Sequence, residues 1–320
     1  MKTIPIRVVA LDTIADGVRL LTLEARGDER LPSWEPGSHV DLHLAPDVIR
    51  QYSLCGPCAD TKTYQVAVKL EPQSRGGSRH VHEVLHVGSE LEISRPRNLF
   101  PMQQSSPHSV LLAGGIGITP IISMARALKA QNQTFELLYF TRSEAHAAFR
   151  DELVDGDLQQ CCRLVCGSDG KAVREMLEKV LSKRPAGAHM YLCGPQPFME
   201  AVQEVASRCG WPDKSVHLEY FSAAEKEMAD PAKAFELKLE RSGITLTVPA
   251  GKTIIDALRE QGIEVETSCE QGICGTCIAS VLDGTPEHHD HFLTEQEKAR
   301  GDCIALCVSR SRSNVLVLDV

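Results

Sequence analysis

Four cysteines near the carboxyl end of the chain carry the strongest chemical signal in the sequence. Cys269, Cys274 and Cys277 follow the spacing C-x4-C-x2-C, and Cys307 lies further along the chain. Three thiolates on one loop can surround a small inorganic cluster only where the backbone turns inward, and the glycines within this loop allow that. The spacing is typical of 2Fe–2S clusters, whose fourth ligand would arrive here from a separate strand.

Two other uses of these thiols remain open at this point. They could be buried free cysteines, or they could bind zinc. Zinc sites usually combine two C-x2-C pairs, whereas this region has one such pair and an x4 step that is foreign to them. The sequence therefore predicts a 2Fe–2S cluster, and residues 234–320 resemble the plant-type ferredoxin family.

A second group of residues resembles the R-x-Y-S motif of the ferredoxin–NADP reductase superfamily. It is the run Arg50-Gln51-Tyr52-Ser53, which follows a predicted strand. A flavin phosphate needs a bidentate cation, the flavin ring needs an aromatic cover, and its reactive nitrogen needs a small hydroxyl beside it. The resemblance gives these roles to Arg50, Tyr52 and Ser53 in that order and places Gln51 in the same flavin site.

A glycine pair supplies further expected flavin contacts. Gly76 and Gly77 follow Arg75 and let backbone N–H groups approach a phosphate, while Ser78 is expected near the start of a helix. Read alone, this run is equally compatible with an ordinary turn. In the same superfamily the intervening strand passes the flavin edge and bonds it through its backbone, and here that strand contains Ala67, Val68 and Lys69.

The run Leu112 to Pro120 reads as a strand, a glycine turn and the start of a helix. It lacks the G-x-G-x-x-G fingerprint, which disfavours a Rossmann dehydrogenase. It is similar to the G-G-x-G-x-T-P turn of the reductase superfamily, where a pyridine nucleotide crosses the carboxyl ends of the strands. The resemblance assigns the nucleotide to Gly114, Gly115, Gly117, Thr119 and Pro120, and Thr119 also to the flavin.

Two further segments complete the expected nucleotide site. Cys193, Gly194 and Pro195 end a predicted strand and resemble the second half of that site, with Cys193 near the nicotinamide; a buried cysteine at a strand end is the alternative. Phe221 resembles the aromatic residue that covers the flavin and yields to the nicotinamide, although it could be a core or interface residue. Ser53, Cys193 and Phe221 are the predicted catalytic residues.

The choice of nucleotide depends on the end of the second strand of the nucleotide domain. Thr141 and Arg142 are expected near the adenosine ribose, and Arg142 with Ser143 could hold a 2′-phosphate. The family resemblance nevertheless predicts NADH.

Two other motifs are expected to have no chemistry. Cys55-Gly-Pro-Cys58 has the spacing of a thioredoxin redox pair, but it follows a strand and precedes a turn rather than a helix. The run 288–291, with three histidines and an aspartate, is expected to be a solvated loop rather than a metal site.

The elements that position these residues divide the chain into three predicted domains. Short alternating strands with Gly and Pro turns predict an antiparallel β-barrel flavin domain over 1–104. Alternating strands and helices predict an α/β nucleotide domain with a parallel sheet over 105–222. A charged linker over 223–233 then leads to a β-grasp-like α+β ferredoxin domain over 234–320.

This domain order resembles the phthalate dioxygenase reductase family, which includes vanillate O-demethylase reductases, over essentially all 320 residues. The carboxyl-terminal ferredoxin favours FMN over FAD by resemblance. A nicotinamide gives up two electrons as a hydride and an iron–sulfur cluster accepts one, so a flavin is needed between them. The resemblance implies transfer from NADH through FMN and the cluster to a Rieske-type oxygenase. The alternative is a stand-alone NADH diaphorase or ferredoxin-type reductase with another acceptor.

Composition excludes several other classes of protein. The net charge of −9 disfavours nucleic acid as a partner. The longest apolar stretch, residues 109–125, is interrupted by glycines and a proline and is too short to span a membrane. Residues 1–11 lack the features of a signal peptide, so we expect a cytoplasmic location. Twelve cysteines are unusual where thiols stay reduced, so some of them should have another use.

Overall fold

The computed structural model describes residues 3–27, 30–45, 48–74, 76–103, 106–221 and 233–320. The chain separates into two units that divide between Phe221 and Ser222. Arg75 and all but the last residue of the predicted linker lie outside the described residues. The predicted boundary at 104/105 falls within the first unit and stays a prediction.

Alternating burial along the first strands produces an antiparallel barrel. Ile6 and Val8 are buried while the alternating residues Pro5 and Arg7 are exposed, as expected for a strand with one face on a core. The strand order is β4-β3-β6-β1-β2-β5, with β7 paired to β3, and a bridge between Leu54 and Val66 joins the two outer strands. The elements are β1 Ile4–Ala15, β2 Val18–Ala25, β3 Ser38–Ala45, β4 Val48–Ser53, β5 Thr63–Lys69, α1 Gly77–Glu83, β6 Glu90–Ile93 and β7 Arg97–Asn98.

The second half of this unit is a parallel sheet with the order β10-β9-β8-β11-β12. Every residue of β8 is buried, as expected for a central strand covered on both faces. The strand order reverses between β8 and β11, and ligands of such sheets bind beyond the carboxyl ends of the strands at that point. The elements are β8 Ser109–Gly114, α2 Ile118–Ala130, β9 Phe135–Thr141, α3 Arg150–Val154, β10 Cys162–Cys166, α4 Gly170–Leu181, β11 His189–Cys193, α5 Gln196–Arg208 and β12 Val216–Glu219.

The second unit contains a mixed sheet with the order β14-β13-β19-β15-β17. Ile254, Ile255 and Leu258 of α6 are buried in the same apolar core as β13 and β19. Thr253 caps α6 through a reciprocal bond with Asp256. The elements are β13 Phe235–Leu239, β14 Ile244–Val248, α6 Ile254–Glu260, β15 Ile278–Asp283, β16 Pro286–Glu287, α7 Glu295–Arg300, β17 Cys303–Ala305, β18 Arg310–Ser311 and β19 Val315–Leu318.

A buried arginine fastens the start of this unit. Arg310 donates hydrogen bonds to the carbonyl oxygens of Lys233 (3.1 Å), Pro249 (3.1 Å) and Lys252. Its guanidinium also lies 5.2 Å from the centre of the Phe235 ring. The backbone at the end of the predicted linker is therefore bonded to the strand that follows the cluster ligand Cys307.

The predicted fold class is confirmed: an antiparallel flavin-type barrel, a parallel-sheet nucleotide domain and a ferredoxin-type domain. Ser78 lies near the start of α1, as expected. One detail differs from the predictions: Cys307 lies in the turn after β17 rather than in a strand. None of the helices in the described ranges is long and apolar enough to cross a membrane.

Candidate functional sites

The predicted phosphate contacts meet at the start of α1. A Cβ added at Gly77 would lie 2.4 Å from Cγ of Arg50, so only glycine lets the arginine stem pack there. Gly76 has a φ of 94°, in the left-handed region that favours glycine. The Ser78 hydroxyl accepts a hydrogen bond from the Glu71 amide at 3.1 Å. A cation and a glycine turn side by side fit the phosphate of a flavin nucleotide.

The residues of β4 divide between two faces of the barrel wall. Arg50 and Tyr52 pair with Leu42 and Val40, whereas Gln51 and Ser53 point to the opposite face and pair with other residues of β3. Burial raises the pKa of Tyr52 to about 12, so its phenol is neutral at physiological pH. The structure therefore places Gln51 and Ser53 on one face of β4 and Arg50 and Tyr52 on the other.

A carboxylate that the sequence analysis missed lies against Ser53. The Ser53 hydroxyl donates to Oε2 of Glu219 at 3.4 Å, and Glu219 at the end of β12 pairs with Cys193 at the end of β11. Burial raises the pKa of Glu219 to about 8, while the bond from Ser53 acts in the opposite direction. Burial and then Glu219 raise the pKa of Cys193, which keeps it a neutral thiol. A hydroxyl, a thiol and a titratable carboxyl group thus meet at one place.

The only sequence signal for Glu219 was its position at the end of a strand, two residues before the predicted aromatic cover Phe221. Phe221 packs on the apolar core that contains Cys193, Ile118 and Tyr139, and its side chain is partly buried. The predicted catalytic residues therefore lie around the carboxyl ends of β11 and β12, on the side of the molecule where β4 ends.

The two glycine-containing turns of the nucleotide site pack directly on each other. A Cβ at Gly117 would lie 2.3 Å from the carbonyl oxygen of Cys193, and one at Gly194 would lie 2.7 Å from the Phe198 ring. A Cβ at Gly114 would lie 3.0 Å from the ring of Pro195. The predicted nucleotide residues after β8 and β11 are thus brought together at the point where the strand order reverses.

Several predicted contacts are already engaged within the chain. The buried Thr119 hydroxyl donates to the Ile116 carbonyl at 3.1 Å, and Pro120 lies in the first turn of α2. The Val68 carbonyl on β5 accepts a hydrogen bond from Nε2 of His82 at 2.9 Å, and Lys69 pairs with Glu71. His82 was not predicted, and it occupies a backbone group that was expected to face the flavin.

The residues predicted to lie near the adenosine ribose form a short turn after β9. The Thr141 hydroxyl donates to the Ser143 carbonyl at 3.0 Å, and the Ser143 hydroxyl bonds Nδ1 of His146 at 2.8 Å. Arg142 between them is exposed. Of the two residues that could hold a 2′-phosphate, Ser143 already has a partner.

The four predicted cluster ligands are buried and form two pairs. Hydrogen bonds join Cys269 to Cys274 and Cys277 to Cys307; they lower the pKa of Cys274 to about 5 and that of Cys277 below its usual range. The Gly272 amide donates to Sγ of Cys307 at 3.2 Å, and the Gln271 amide donates to Sγ of Cys269 at 3.3 Å. The same bonds raise the pKa of Cys269 and Cys307, so each pair has one thiol that ionises easily. Two buried cysteine pairs with backbone donors fit a 2Fe–2S cluster. No three His, Cys, Asp or Glu side chains in the described ranges converge on a single-ion site.

The loop 288–292 packs against this cluster loop. A Cβ at Gly275 would lie 2.3 Å from the Phe292 ring, and the His291 amide donates to the Gly272 carbonyl at 2.9 Å. Asp290 is buried and accepts a hydrogen bond from the Leu293 amide at 2.8 Å. The prediction of a solvated loop at 288–291 is therefore wrong, because contacts with the cluster loop bury its aspartate.

The Cys55–Cys58 pair has the surroundings of a structural feature. Burial raises the pKa of Cys55 to about 12, and its thiol donates to the Gln65 carbonyl at 3.3 Å. Cys58 lies in a turn, and no helix begins there. This environment does not stabilise a thiolate.

Comparison with known proteins places this geometry among electron-transfer proteins. Residues 237–312 match a family described as "2Fe-2S iron-sulfur cluster binding domain", and residues 93–216 match "Dimethylamine monooxygenase subunit DmmA-like, N-terminal domain". The chain is 43% identical over 317 residues to the vanillate O-demethylase oxidoreductase of Pseudomonas sp. strain HR199, covering 99% of this chain and 100% of that protein.

Two further proteins are similar over nearly their whole length. The phenoxybenzoate dioxygenase subunit beta of Ectopseudomonas oleovorans is 40% identical over 321 residues, which covers 100% of this chain and 98% of that protein. The solved structure of phthalate dioxygenase reductase superposes on this chain with a TM-score of 0.80 at 33% identity, and the match covers 99% of this chain and 98% of that one. Its published description is of a modular structure for electron transfer from pyridine nucleotides to a 2Fe–2S centre.

Proposed function

The chain belongs to the family of the vanillate O-demethylase oxidoreductases and phthalate dioxygenase reductase, and from this membership we propose that it is the NADH-dependent reductase component of an oxygenase system. The observation that carries the proposal is that four buried cysteines form two pairs in a chain that is related to these reductases over its full length.

The residues of the first unit would receive the nucleotide and the flavin. Arg50, Gly76 and Gly77 would hold the flavin phosphate, and the turns at Gly117 and Gly194 would receive NADH. Bound FMN would take the hydride of NADH, leaving NAD⁺, and would release two electrons singly, while the cluster would pass on one at a time.

At the transfer point the chain supplies neutral groups. Cys193 is a neutral buried thiol, and Ser53 holds its hydroxyl toward Glu219. Because these side chains are neutral, they would make no ion pair with the oxidised nicotinamide or with the flavin. Because its pKa is raised to about 8, the Glu219 carboxyl can hold or release a proton near physiological pH while it is hydrogen-bonded to the Ser53 hydroxyl.

The second unit would exchange electrons through its four thiolates. Cys269, Cys274, Cys277 and Cys307 would bind the two irons, and amide donors to their sulfurs tune the potential of such centres. We further propose that the acceptor is a Rieske-type oxygenase. From a cluster near roughly −400 mV to a Rieske centre at about −150 mV or above, each electron would fall through at least about 250 mV, and transfer would be effectively one-way.

We also propose a cytoplasmic location. All twelve cysteines are free thiols in this structure, and the cluster ligands must be reduced to bind iron.

The test separates the two units by one substitution and its matched control. Cys274→Ser should abolish reduction of a one-electron protein acceptor, while NADH still bleaches the flavin at the wild-type rate. Cys303→Ser, at a half-buried thiol near the cluster but outside the ligand set, should leave both activities intact. Acid extraction of the wild type should release FMN and labile sulfide.

Three results would contradict the proposal. Release of FAD or of zinc without sulfide would overturn the cofactor assignment. Loss of flavin bleaching in a folded Cys274→Ser protein that retains FMN would overturn the order of electron transfer. Turnover of NADH with artificial acceptors but with no Rieske protein would point to a stand-alone diaphorase.

A further inference from the structure

One arginine connects three segments of the first unit. Arg126 lies on α2, and its side chain is only 20% exposed. Nε donates to Oε1 of Glu152 at 2.8 Å, Nη2 donates to Oε2 of the same carboxylate, and Nη1 donates to the carbonyl oxygen of Cys55. All three guanidinium nitrogens therefore have partners, and the ion pair has the bidentate geometry that fixes direction as well as distance.

The three connected segments lie next to the residues proposed above to bind the flavin, the nucleotide turn and the adenosine end of NADH. Cys55 closely follows Ser53 on the barrel side, α2 starts from the glycine turn at Gly117, and Glu152 lies on α3 after the adenosine-side turn. A single cation thus joins the segment that follows β4, helix α2 and helix α3.

Two neighbouring hydrogen bonds also join the barrel to the parallel-sheet part of the same unit. The Asp16 amide in the first barrel hairpin donates to the Ala145 carbonyl at 2.8 Å, and the Gly37 amide donates to the Ser123 hydroxyl on α2 at 3.3 Å. Arg126 supplies the charged contact among these. Its guanidinium also lies 5.4 Å from the ring of Phe149, whose φ of 59° is in the left-handed region.

We propose that Arg126 is a positioning residue for hydride transfer. It contacts neither the nucleotide turn nor the Ser53–Glu219 pair, and acts by fixing the nucleotide domain against the flavin barrel so that NADH meets the flavin in a reactive alignment. This inference rests on the proposed function. Hydride transfer depends steeply on alignment, so a small displacement costs much more rate than binding.

The substitutions follow from the geometry. Arg126→Lys keeps the charge but reaches only one of the two partners, and Arg126→Met removes all three hydrogen bonds. Glu152→Gln keeps the bond to Cys55 and weakens the pairing, so its effect should be intermediate. Arg208→Lys is the matched control, because Arg208 pairs with Glu178 on the outer helices α4 and α5, away from the barrel.

Four measurements on the full chain test the proposal. With Arg126→Lys, the rate of flavin reduction at saturating NADH should fall at least tenfold, and the long-wavelength absorbance of stacked nicotinamide and flavin rings should weaken. The affinity for ADP-ribose, which lacks the reacting ring, should stay within about twofold of wild type, and the flavin content and thermal midpoint should be retained. Arg126→Met combined with Glu152→Gln should be no slower than Arg126→Met alone, because both act through one contact.

The outcomes that overturn the proposal differ from those that overturn the proposed function. An unchanged rate and ring absorbance in Arg126→Lys, or a loss of ADP-ribose affinity with an unchanged saturated rate, would show that Arg126 does not align the rings. If Arg126→Met fails to fold, Arg126→Lys and Glu152→Gln carry the test. If wild-type flavin is not reduced by NADH at all, the proposed function fails first.

Discussion

Glu219 is the side chain whose chemistry depends most on the folded state. Its carboxyl has an ordinary pKa in the unfolded chain and a pKa of about 8 in the structure, because burial penalises its charged form. Between those two values the folded chain holds a proton that the unfolded chain has released. The contribution of Glu219 to the free energy of unfolding is therefore fully present at low pH, and it is lost as the pH rises to about 8.

Glu219→Gln should remove this pH dependence. Between pH 6 and pH 8 we expect the wild type to lose up to about 3 kcal/mol relative to the variant, since one pKa unit corresponds to roughly 1.4 kcal/mol. The thermal midpoint of flavin release, measured at both pH values, gives the comparison. A parallel decline in the two proteins would show that Glu219 titrates normally.

The functional residues that could be predicted from the sequence are those that belong to short motifs. Ser53 and the four cysteines belong to such motifs. The structure places Ser53 beside Glu219 in the first unit, and the cysteines in two buried pairs in the second. Glu219 and Arg126 could not be found this way. Their partners, Ser53 and Cys55, are distant in sequence and become neighbours only through the packing of the sheet and the barrel.

The two turns that meet at the reversal of strand order depend on crowding as well as on backbone freedom. Gly117 has an ordinary negative φ, yet an added Cβ would lie 2.3 Å from the Cys193 carbonyl. Gly115 has a φ of 53°, but nothing lies within 4 Å of an added Cβ. The two glycines are therefore required for different physical reasons.

Alanine at each position should separate these reasons. Gly117→Ala should force the two turns apart, cost about 1–3 kcal/mol and raise the NADH concentration needed for half-maximal flavin reduction at least tenfold. Gly115→Ala should cost about 1–2 kcal/mol through backbone strain while leaving that concentration within about threefold of wild type. Stopped-flow titration with NADH measures both. Equal effects would mean that strain, rather than crowding, controls the site.

Regular elements were predictable where periodicity was strong, and irregular segments were not. The hairpin of β13 and β14 follows from its alternating residues, and their pairing is as expected. The loop 288–291 reads as polar, but Gly272 packs against Asp290 and buries it. His82 similarly takes the Val68 carbonyl, a contact that no local pattern indicates.

The two units differ in charge. Acidic residues outnumber basic ones by 14 to 8 between positions 234 and 320, which accounts for most of the net charge of −9. Such a field would steer the cluster-containing unit toward a basic surface on the electron acceptor.

Ionic strength should therefore affect the two electron-transfer steps unequally. Because the Debye length is about 8 Å at physiological salt, the rate of association with the acceptor should fall as salt rises. Flavin reduction by bound NADH is internal and should change much less. Stopped-flow measurement of both steps across a salt series compares them. A rate of acceptor reduction that is flat or rises with salt would refute acidic docking.

The anchoring of Lys233 by Arg310 defines where the cluster-binding half could be cut out and joined to another enzyme. A fragment that begins at Phe235 would leave a buried guanidinium N–H without its acceptor, at a cost of about 1–3 kcal/mol, whereas one that begins at Lys233 would keep it. The thermal midpoints of the two fragments, each loaded with its cluster, should differ in that order. A fusion protein that is to carry the cluster-binding unit should therefore include Lys233, the last residue of the predicted linker.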